Sequence, residues 1–213
     1  MRIDLHVHSC YSADSLITPQ ELVFYAKKRG LDGVAVTDHD RLDGALKIAD
    51  QTDFLIVPGM EIASVDGHVV ALNVRESIPS GLSTDDVVDK IHAAGGVAIA
   101  CHPTGLFKGG LGKRTSSKFD AVEVINSSAI PFVYSIRQNE QIASRLGKPR
   151  VAGSDAHYGP EIGFAHTVVD AELNVNEVIK AISKGLCQPF GRPIPLRMRL
   201  KKTIESYRRK LRS

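Results

Sequence analysis

The sequence predicts an α/β protein in which a largely parallel sheet curls into a distorted barrel, and three observations point there. Short apolar runs rich in β-branched residues alternate with amphipathic stretches, the pattern of strand–helix–strand units. Potential metal ligands stand just beyond those runs, with His6, His39, Glu61, His102 and Asp155 each at or near the C-terminal end of a predicted strand. In a closed barrel such ends surround one point, whereas an open doubly wound sheet would string them along a line. At 213 residues and 43% hydrophobic content, the chain can bury one core and is expected to form one domain.

The elements follow in order. Arg2–Leu5 reads as a short strand. Thr18 is placed to cap a helix, with Pro19 at its first position and Glu21 as the reciprocal capping partner, and Gly30 marks its end. Gly33–Thr37 reads as a buried strand, Leu42–Asp50 as a helix, Phe54–Val57 and Val69–Val74 as strands. Ser83 with Asp86 opens a helix that stops at Gly95-Gly96. Val97–Cys101 and Ala121–Ile125 are apolar strands, Pro131–Leu146 a helix, Arg150–Ala152 and Val168–Val169 strands, and Val175–Lys184 a helix. There is no internal repeat and no low-complexity segment.

Charge divides the chain more sharply than its net +3 suggests. From Arg192 to Ser213 there are nine Lys/Arg against one Glu, leaving the remainder mildly acidic. Leu196, Leu200, Ile204, Tyr207 and Leu211 recur at helical spacing among those cations, so 192–213 is expected to be a basic amphipathic tail beside a barrel spanning 1–191. Packing of that helix on the barrel, contact with nucleic acid and contact with an anionic membrane surface are all open to it. Three widely spaced cysteines without a CxxC argue against a disulfide framework and for a reducing cytoplasm. No apolar run reaches the roughly 20 residues a bilayer span takes, and the N-terminus runs straight into a ligand motif without room for a signal peptide.

The chemistry lies in six short motifs: DLHVHS, TDHD, GMEI, GHVVAL, CHP and GSDAH. With Asp14 they hold nine potential ligands, His6, His8, Asp14, His39, Glu61, His68, His102, Asp155 and His157, including six of the chain's eight histidines. Imidazole with carboxylate suits a borderline divalent ion such as Zn²⁺, Mn²⁺ or Fe²⁺, and nine groups are too many for one. His6-Val7-His8 places two imidazoles on one face of a strand, and Asp155-Ala156-His157 repeats that geometry. Singly, each residue has a plain structural alternative: a core histidine at 39, a solvated carboxylate at 61, a surface histidine at 68. Those alternatives would all have to coincide at one end of the barrel.

In that order, and with the helix entry ADSLITP, the motifs resemble the PHP family, the polymerase and histidinol phosphatase domain. The resemblance covers about 1–191, including a stretch after GSDAH (162–193) similar to the family's C-terminal extension. It implies a distorted (β/α)7 TIM-like barrel with a di- or trinuclear centre. His6, His8, Glu61 and Asp155 would hold one ion, Asp14, His39 and His157 a second, and Glu61, His68 and His102 a third, with Glu61 bridging. Ala13 is an extra residue before Asp14, which makes Asp14 the least secure of the nine. Three divalent ions against three carboxylates leave positive charge facing the opening, which suits a phosphate monoester. The expected activity is therefore metal-dependent phosphoester hydrolysis by attack of a metal-bound hydroxide. Its substrate would be a phosphorylated small molecule, a nucleoside bisphosphate or an oligonucleotide end. An amidohydrolase-type metal hydrolase and a non-catalytic or nuclease-associated PHP barrel binding RNA or DNA are the rival readings; the late D-x-H pair and TDHD speak against the first. Asp38 and Asp40 are candidates to orient imidazoles, and His166 is a candidate acid set against a plain strand residue. Lys108, Lys113 and Arg114 in the glycine-rich loop after CHP are candidate phosphate contacts. His92, Cys10 and Cys101 read as structural.

Overall fold

A computed structural model describes residues 1–105 and 109–210, with the Lys210 side chain excepted. In chain order the elements are β1 (Arg2–Val7), α1 (Pro19–Lys28), β2 (Gly33–Val36), α2 (Asp43–Asp50), β3 (Leu55–Ala63), β4 (His68–Leu72), α3 (Thr84–Ala93), β5 (Val97–Ala100), β6 (Ala121–Asn126), α4 (Phe132–Leu146), β7 (Arg150–Gly153), β8 (Ala165–Val169), α5 (Val175–Ser183), β9 (Cys187–Gly191) and α6 (Leu196–Lys210). The sheet runs β7-β6-β5-β4-β3-β2-β1-β8-β9. Strands β1–β2–β3 and β5–β6–β7 pair in parallel, while β4 lies antiparallel between β3 and β5. β8 is antiparallel to β1, and β9 to β8.

The ring is drawn nearly closed where β7 ends beside β1. Asp155 N–H donates to His6 O at 2.8 Å and His8 N–H to Ala156 O at 2.9 Å. A glycine permits this approach, because a Cβ at Gly153 would stand 2.3 Å from the Cβ of His6. The distortion of the expected barrel thus has two sources, the β3–β4 hairpin and the added β8–β9 pair.

Helix starts follow the sequence signals. Thr18 Oγ1 accepts from Glu21 N–H at 3.2 Å while the Glu21 carboxylate accepts from Thr18 N–H at 3.0 Å, completing the capping box. Ser83 caps α3 by accepting from Asp86 N–H. Alternate strand residues divide between two cores. Val34, Val36 and Ile56 pack with Leu22, Ala45 and Ile48 of the outer helices. Leu5, Ala35, Val57, Leu72, Ile99, Ala121 and Val151, one or more from each of β1–β7, converge on Val178, Ile179 and Ile182 of α5. On β1, β2, β3, β5 and β7 these interior residues precede the candidate ligands, so α5 stoppers the N-terminal end and leaves the C-terminal mouth to polar groups.

Two segments depart from the sequence reading. β3 continues past Val57 through Pro58 and Gly59, and Glu61 therefore stands on a strand rather than on a loop. Pro58 ends the register with β2 and Gly59 begins the pairing with β4, where a Cβ would meet Ala71 O at 2.5 Å. β9 was not foreseen: it is an edge strand with mostly exposed side chains and a proline, so it carries no apolar alternation.

The tail helix docks with the opposite face from the expected one. Leu196, Leu200, Ile204 and Tyr207 are all exposed, whereas Met198, Arg199, Lys202, Glu205 and Ser206 are half-buried. The two groups lie roughly 160° apart on the helix. Guanidinium–carbonyl bonds hold α6 down: Arg199 donates to Ser127 O, Ser128 O and Ile194 O, and Arg209 to Ser15 O. Leu211 lies outside the described residues. No helix among the described residues is long and apolar enough to cross a membrane.

Candidate metal centre at the mouth of the barrel

β1, β2, β3, β5 and β7 each deliver ligands toward the same mouth, within the last residues of the strand or just beyond it, and irregular backbone aims them. The β1–β2 register shifts between Asp4 and Val7, where His6 leaves the ladder. Among the described residues four non-glycine residues adopt positive φ, and three of them, Asp40, His102 and Asp155, are at the mouth. Such conformations cost of order 1–3 kcal/mol each and persist only where the surroundings enforce them.

Glu61 is the hub. Its carboxylate is fully buried, yet five imidazoles reach it. His6 Nε2, His8 Nε2 and His39 Nδ1 lie 3.3, 3.2 and 3.3 Å from Oε2, and His68 Nδ1 and His102 Nε2 lie 2.9 and 2.8 Å from Oε1. The Cys101 thiol also points at Oε1, 3.6 Å away. Asp155 Oδ1 lies 3.4 Å from His8 Nε2 and 3.6 Å from His157 Nδ1. Asp14 Oδ2 is 3.0 Å from His157 Nε2 and 3.6 Å from His39 Nε2. All nine sequence-predicted ligands are thus brought together, around a cleft of about 200 Å³. Ligand atoms of His6/His8/Glu61, His8/His39/His157, His6/His102/Asp155 and His39/Glu61/His68 form overlapping triplets, each within 4.8 Å. Asp14 is the one of the nine that joins no such triplet, and it is half-exposed.

Electrostatics follow from that packing. Burial alone would lower the His6 pKa, but Glu123, Glu61 and Asp155 outweigh it and hold His6 well above its ordinary value. Burial opposes ionisation of Glu61, and the surrounding imidazoles reverse the effect and hold its carboxyl well below the usual range. His157 is pushed down to about 4 by burial and by neighbouring His8, so it is neutral at physiological pH. Both ring nitrogens of His8 are buried without a hydrogen bond among the described residues. Its Nε2 is near two carboxylate oxygens but off the direction of a hydrogen bond. A buried imidazole in that state is costly, and a cation between those oxygens and Nε2 would satisfy it. The donor set therefore fits a borderline divalent metal.

A surrounding shell, largely unread in the sequence, holds the ligands. Glu123 accepts from His6 Nδ1–H at 3.1 Å through Oε1, and from His102 N–H at 2.8 Å and Asn126 Nδ2 at 2.9 Å through Oε2. Its signal was available: a glutamate between two valines in an apolar strand needs a buried partner. Asp4, fully buried, accepts from the backbone N–H of Ser154, Gly163 and His6 and so ties β1 to the segment bearing Asp155; burial pushes its pKa up to about 6 against those bonds.

Several expected roles fall elsewhere. Asp38 does not orient an imidazole; it accepts from Ser9 N–H and Oγ–H at 2.6 and 2.7 Å, which shapes the loop after His8. Asp40 accepts from Ala63 N–H at 2.9 Å, because its positive φ turns it toward β3. His166 is remote from the cluster, accepting from Arg2 Nε on the outer wall and stacking on Phe190. Arg114 is turned to Asp66, 3.4 Å away, rather than to the cleft. Lys113 sits on a one-turn helix (Gly112–Arg114) with no contact to the nine ligands, and Lys108 lies outside the described residues. His92 pairs with Asp120 on the surface.

Comparison with known proteins sharpens this picture. A family model described as PHP-associated matches residues 135–187. The uncharacterized protein MJ1587 of Methanocaldococcus jannaschii is 36% identical over 141 residues, covering 60% of this chain and 82% of its own length. A two-domain protein from Bacteroides vulgatus, described as containing a predicted PHP-like metal-dependent phosphoesterase, superposes with a TM-score of 0.73 at 19% identity over 97% of this chain and 69% of its own. The chain belongs to the PHP family. This PHP barrel is also similar to an amidohydrolase from Chromobacterium violaceum solved with bound sulfate, at a TM-score of 0.63 and 18% identity over 92% of this chain and 99% of that one. At such identities the two solved structures speak for the fold, that of PHP-like metal-dependent hydrolases.

Proposed function

We propose that this PHP barrel hydrolyses phosphomonoesters, and the observation that carries the reading is Glu61, with both oxygens of one buried carboxylate ringed by imidazoles. One carboxylate cannot accept five hydrogen bonds well, so the cluster fits bound cations better than a network of ion pairs alone. His6, His8, Glu61 and Asp155 would hold one ion, Asp14, His39 and His157 a second, and Glu61, His68 and His102 a third. Two or three divalent ions of Zn, Mn or Fe bound there supply Lewis acidity toward phosphoryl oxygens and activate water at neutral pH. The chain's own residues prepare the site. Glu123 accepts the hydrogen bond of His6 Nδ1–H, which orients Nε2 toward Glu61 and Asp155. The Asp155 carbonyl accepts from Nδ1–H of neutral His157 and leaves its Nε2 facing Asp14. The substrate would be a phosphorylated small molecule, a nucleoside bisphosphate or an oligonucleotide end. Free Cys10, Cys101 and Cys187 suit a cytoplasmic setting.

Metal-loaded protein should be screened against phosphomonoesters, phosphodiesters and short oligonucleotides beside His39→Ala. Turnover of a monoester that disappears with His39→Ala and its metal supports the reading. Full metal content and turnover in His39→Ala would refute the ligand assignment, and amide hydrolysis alone would favour the amidohydrolase reading. No lysine lines the cleft among the described residues, which argues against an amidohydrolase-type centre bridged by a lysine.

The oligonucleotide end has an observation of its own. Arg209 of the basic helix bonds Ser15 O in the loop that carries Asp14, so α6 borders the mouth. Replacing exposed Arg197, Lys201 and Arg208 by Glu should spare small phosphomonoesters and flatten the salt dependence on oligonucleotides by about two log units per log unit of salt. An unchanged slope removes the tail from substrate binding.

A further inference from the structure

Away from the mouth and the tail helix, the outer wall also gathers charge without matching it. On the outer wall, where the C-terminal end of α1 meets β8 and β9, Arg2, Lys28, Arg29 and Arg192 line a cleft of about 410 Å³ with His166 and Phe164. None of the four cations is ion-paired to a carboxylate among the described residues. Several exposed cations elsewhere do find acids, as in Arg41–Asp43, Lys118–Asp89, Arg150–Glu140 and Arg208–Glu205. The nearby acid, Asp32, is occupied by the backbone N–H of Arg2 at 2.7 Å.

The cations are held in place rather than loose. Arg29 donates to Pro160 O and Ile162 O at 3.0 and 3.3 Å and lies over the Phe164 ring at 4.6 Å. Arg192 lies over the same ring at 4.7 Å. Arg2 Nε donates to His166 Nε2 at 3.2 Å, which requires a neutral imidazole; burial and the Arg2 charge keep it so. Two guanidiniums on one ring repel each other, and burial together with Arg192 lowers the Arg29 pKa. An anion bound beside both would relieve that repulsion, and the Arg192 fork, without a hydrogen bond among the described residues, can match phosphoryl oxygens bidentately.

We propose that this cleft is a second ligand site, separate from the metal centre, that binds the oligophosphate group of a small molecule. Four positive charges exceed what one phosphate dianion neutralises, and the volume lies in the range of small-molecule pockets. Recognition is of phosphate and not of a base, because the aromatic surface is already committed. The Phe164 ring carries two guanidiniums, and His166 stacks on Phe190 at 5.9 Å.

Calorimetric titration of the full-length protein with inorganic tripolyphosphate tests this. One site is expected, equally present in His39→Ala, with ATP and GTP competing alike. Arg192→Ala should weaken it about tenfold, Arg192→Glu should abolish it and Arg192→Lys should restore part of it. Arg41→Glu, a charge reversal elsewhere, should change nothing. Melting curves of the Arg192 variants check the fold, and Lys28→Ala, at an exposed side chain, should also weaken binding. Absence of binding overturns the proposal, as does binding that survives Arg192→Glu or is lost in His39→Ala. So does capture of long RNA with no affinity for tripolyphosphate.

Discussion

The mouth of the barrel and the tail helix α6 are both rich in ionisable side chains, and they handle charge in opposite ways. At the mouth, most acids and imidazoles are removed from water and crowd against one another, with the His8 ring left without a hydrogen bond among the described residues. On α6 the cations are largely hydrated, and its Arg208–Glu205 pair is exposed on both sides. Buried charge is expensive and therefore specific, whereas exposed charge is cheap and admits several uses. Glu61→Ala tests this difference at its greatest. It should drop bound metal below one equivalent and hydrolysis by roughly 10³-fold, several kcal/mol of transition-state stabilisation. Glu205→Ala should leave metal content unchanged and stability within about 0.5 kcal/mol. Elemental analysis and a melt on both variants compare the two regions directly; metal retained by Glu61→Ala would erase the contrast.

Glu123→Gln sharpens it one layer out. The amide keeps the volume, but its NH₂ must face either His6 Nδ1–H or His102 N–H, which both donate to Glu123 in the native site. Metal affinity should fall about 10- to 100-fold, measured by chelator competition, with the fold retained. An affinity unchanged within about twofold would make Glu123 merely a packed acid.

Acidity gives a smaller, graded effect with a definite sign. In metal-free protein His6 has a folded-state pKa raised above its unfolded value of about 6.5. Its contribution to stability is fully present below that value and is lost as pH rises through the raised folded pKa. Metal binding needs the imidazole neutral and so strengthens over the same interval. The melting-temperature gain on adding Mn²⁺ should therefore grow with pH above about 6.5, and a gain that shrinks would contradict the ion-paired state of the empty cluster. The tail helix contains no histidine, and its salt response should be flat over that range.

What could be read in the sequence tracks this same division. The capping box at Thr18, the stop at Gly30 and the buried runs at 33–37 and 97–101 were legible because local chemistry and burial agree there. That the nine candidate ligands would meet at one mouth was legible because imidazoles and acids recur at strand ends. Glu123 was overlooked although its signal was present, since no motif marks it. Asp38 was misassigned because adjacency to His39 says nothing of direction, and its carboxylate turns to Ser9. The antiparallel β4 could not be read, since a five-residue strand carries no mark of its orientation. α6 was readable as a helix, but its docking face was not, because hydrophobic spacing presumes that the apolar side faces the core.

That inverted face yields the smallest effect and the most direct test of the tail. In α2, Ile48 is 1% exposed in a packed core, and Ile48→Ala should cost roughly 2–5 kcal/mol. On α6, Leu200 and Ile204 are 57% and 51% exposed, so Leu200→Ser with Ile204→Ser should cost no more than the change in helix propensity, a few tenths of a kcal/mol per site. Arg199→Ala removes three carbonyl contacts instead and should cost more than both serines together. Chemical denaturation of the three variants orders them. If the serine pair proves as costly as Ile48→Ala, the apolar stripe is buried in solution and the tail is held by hydrophobic contact; if Arg199→Ala is the costlier, the helix is held at the mouth by hydrogen bonds from its basic face, leaving its apolar side outward.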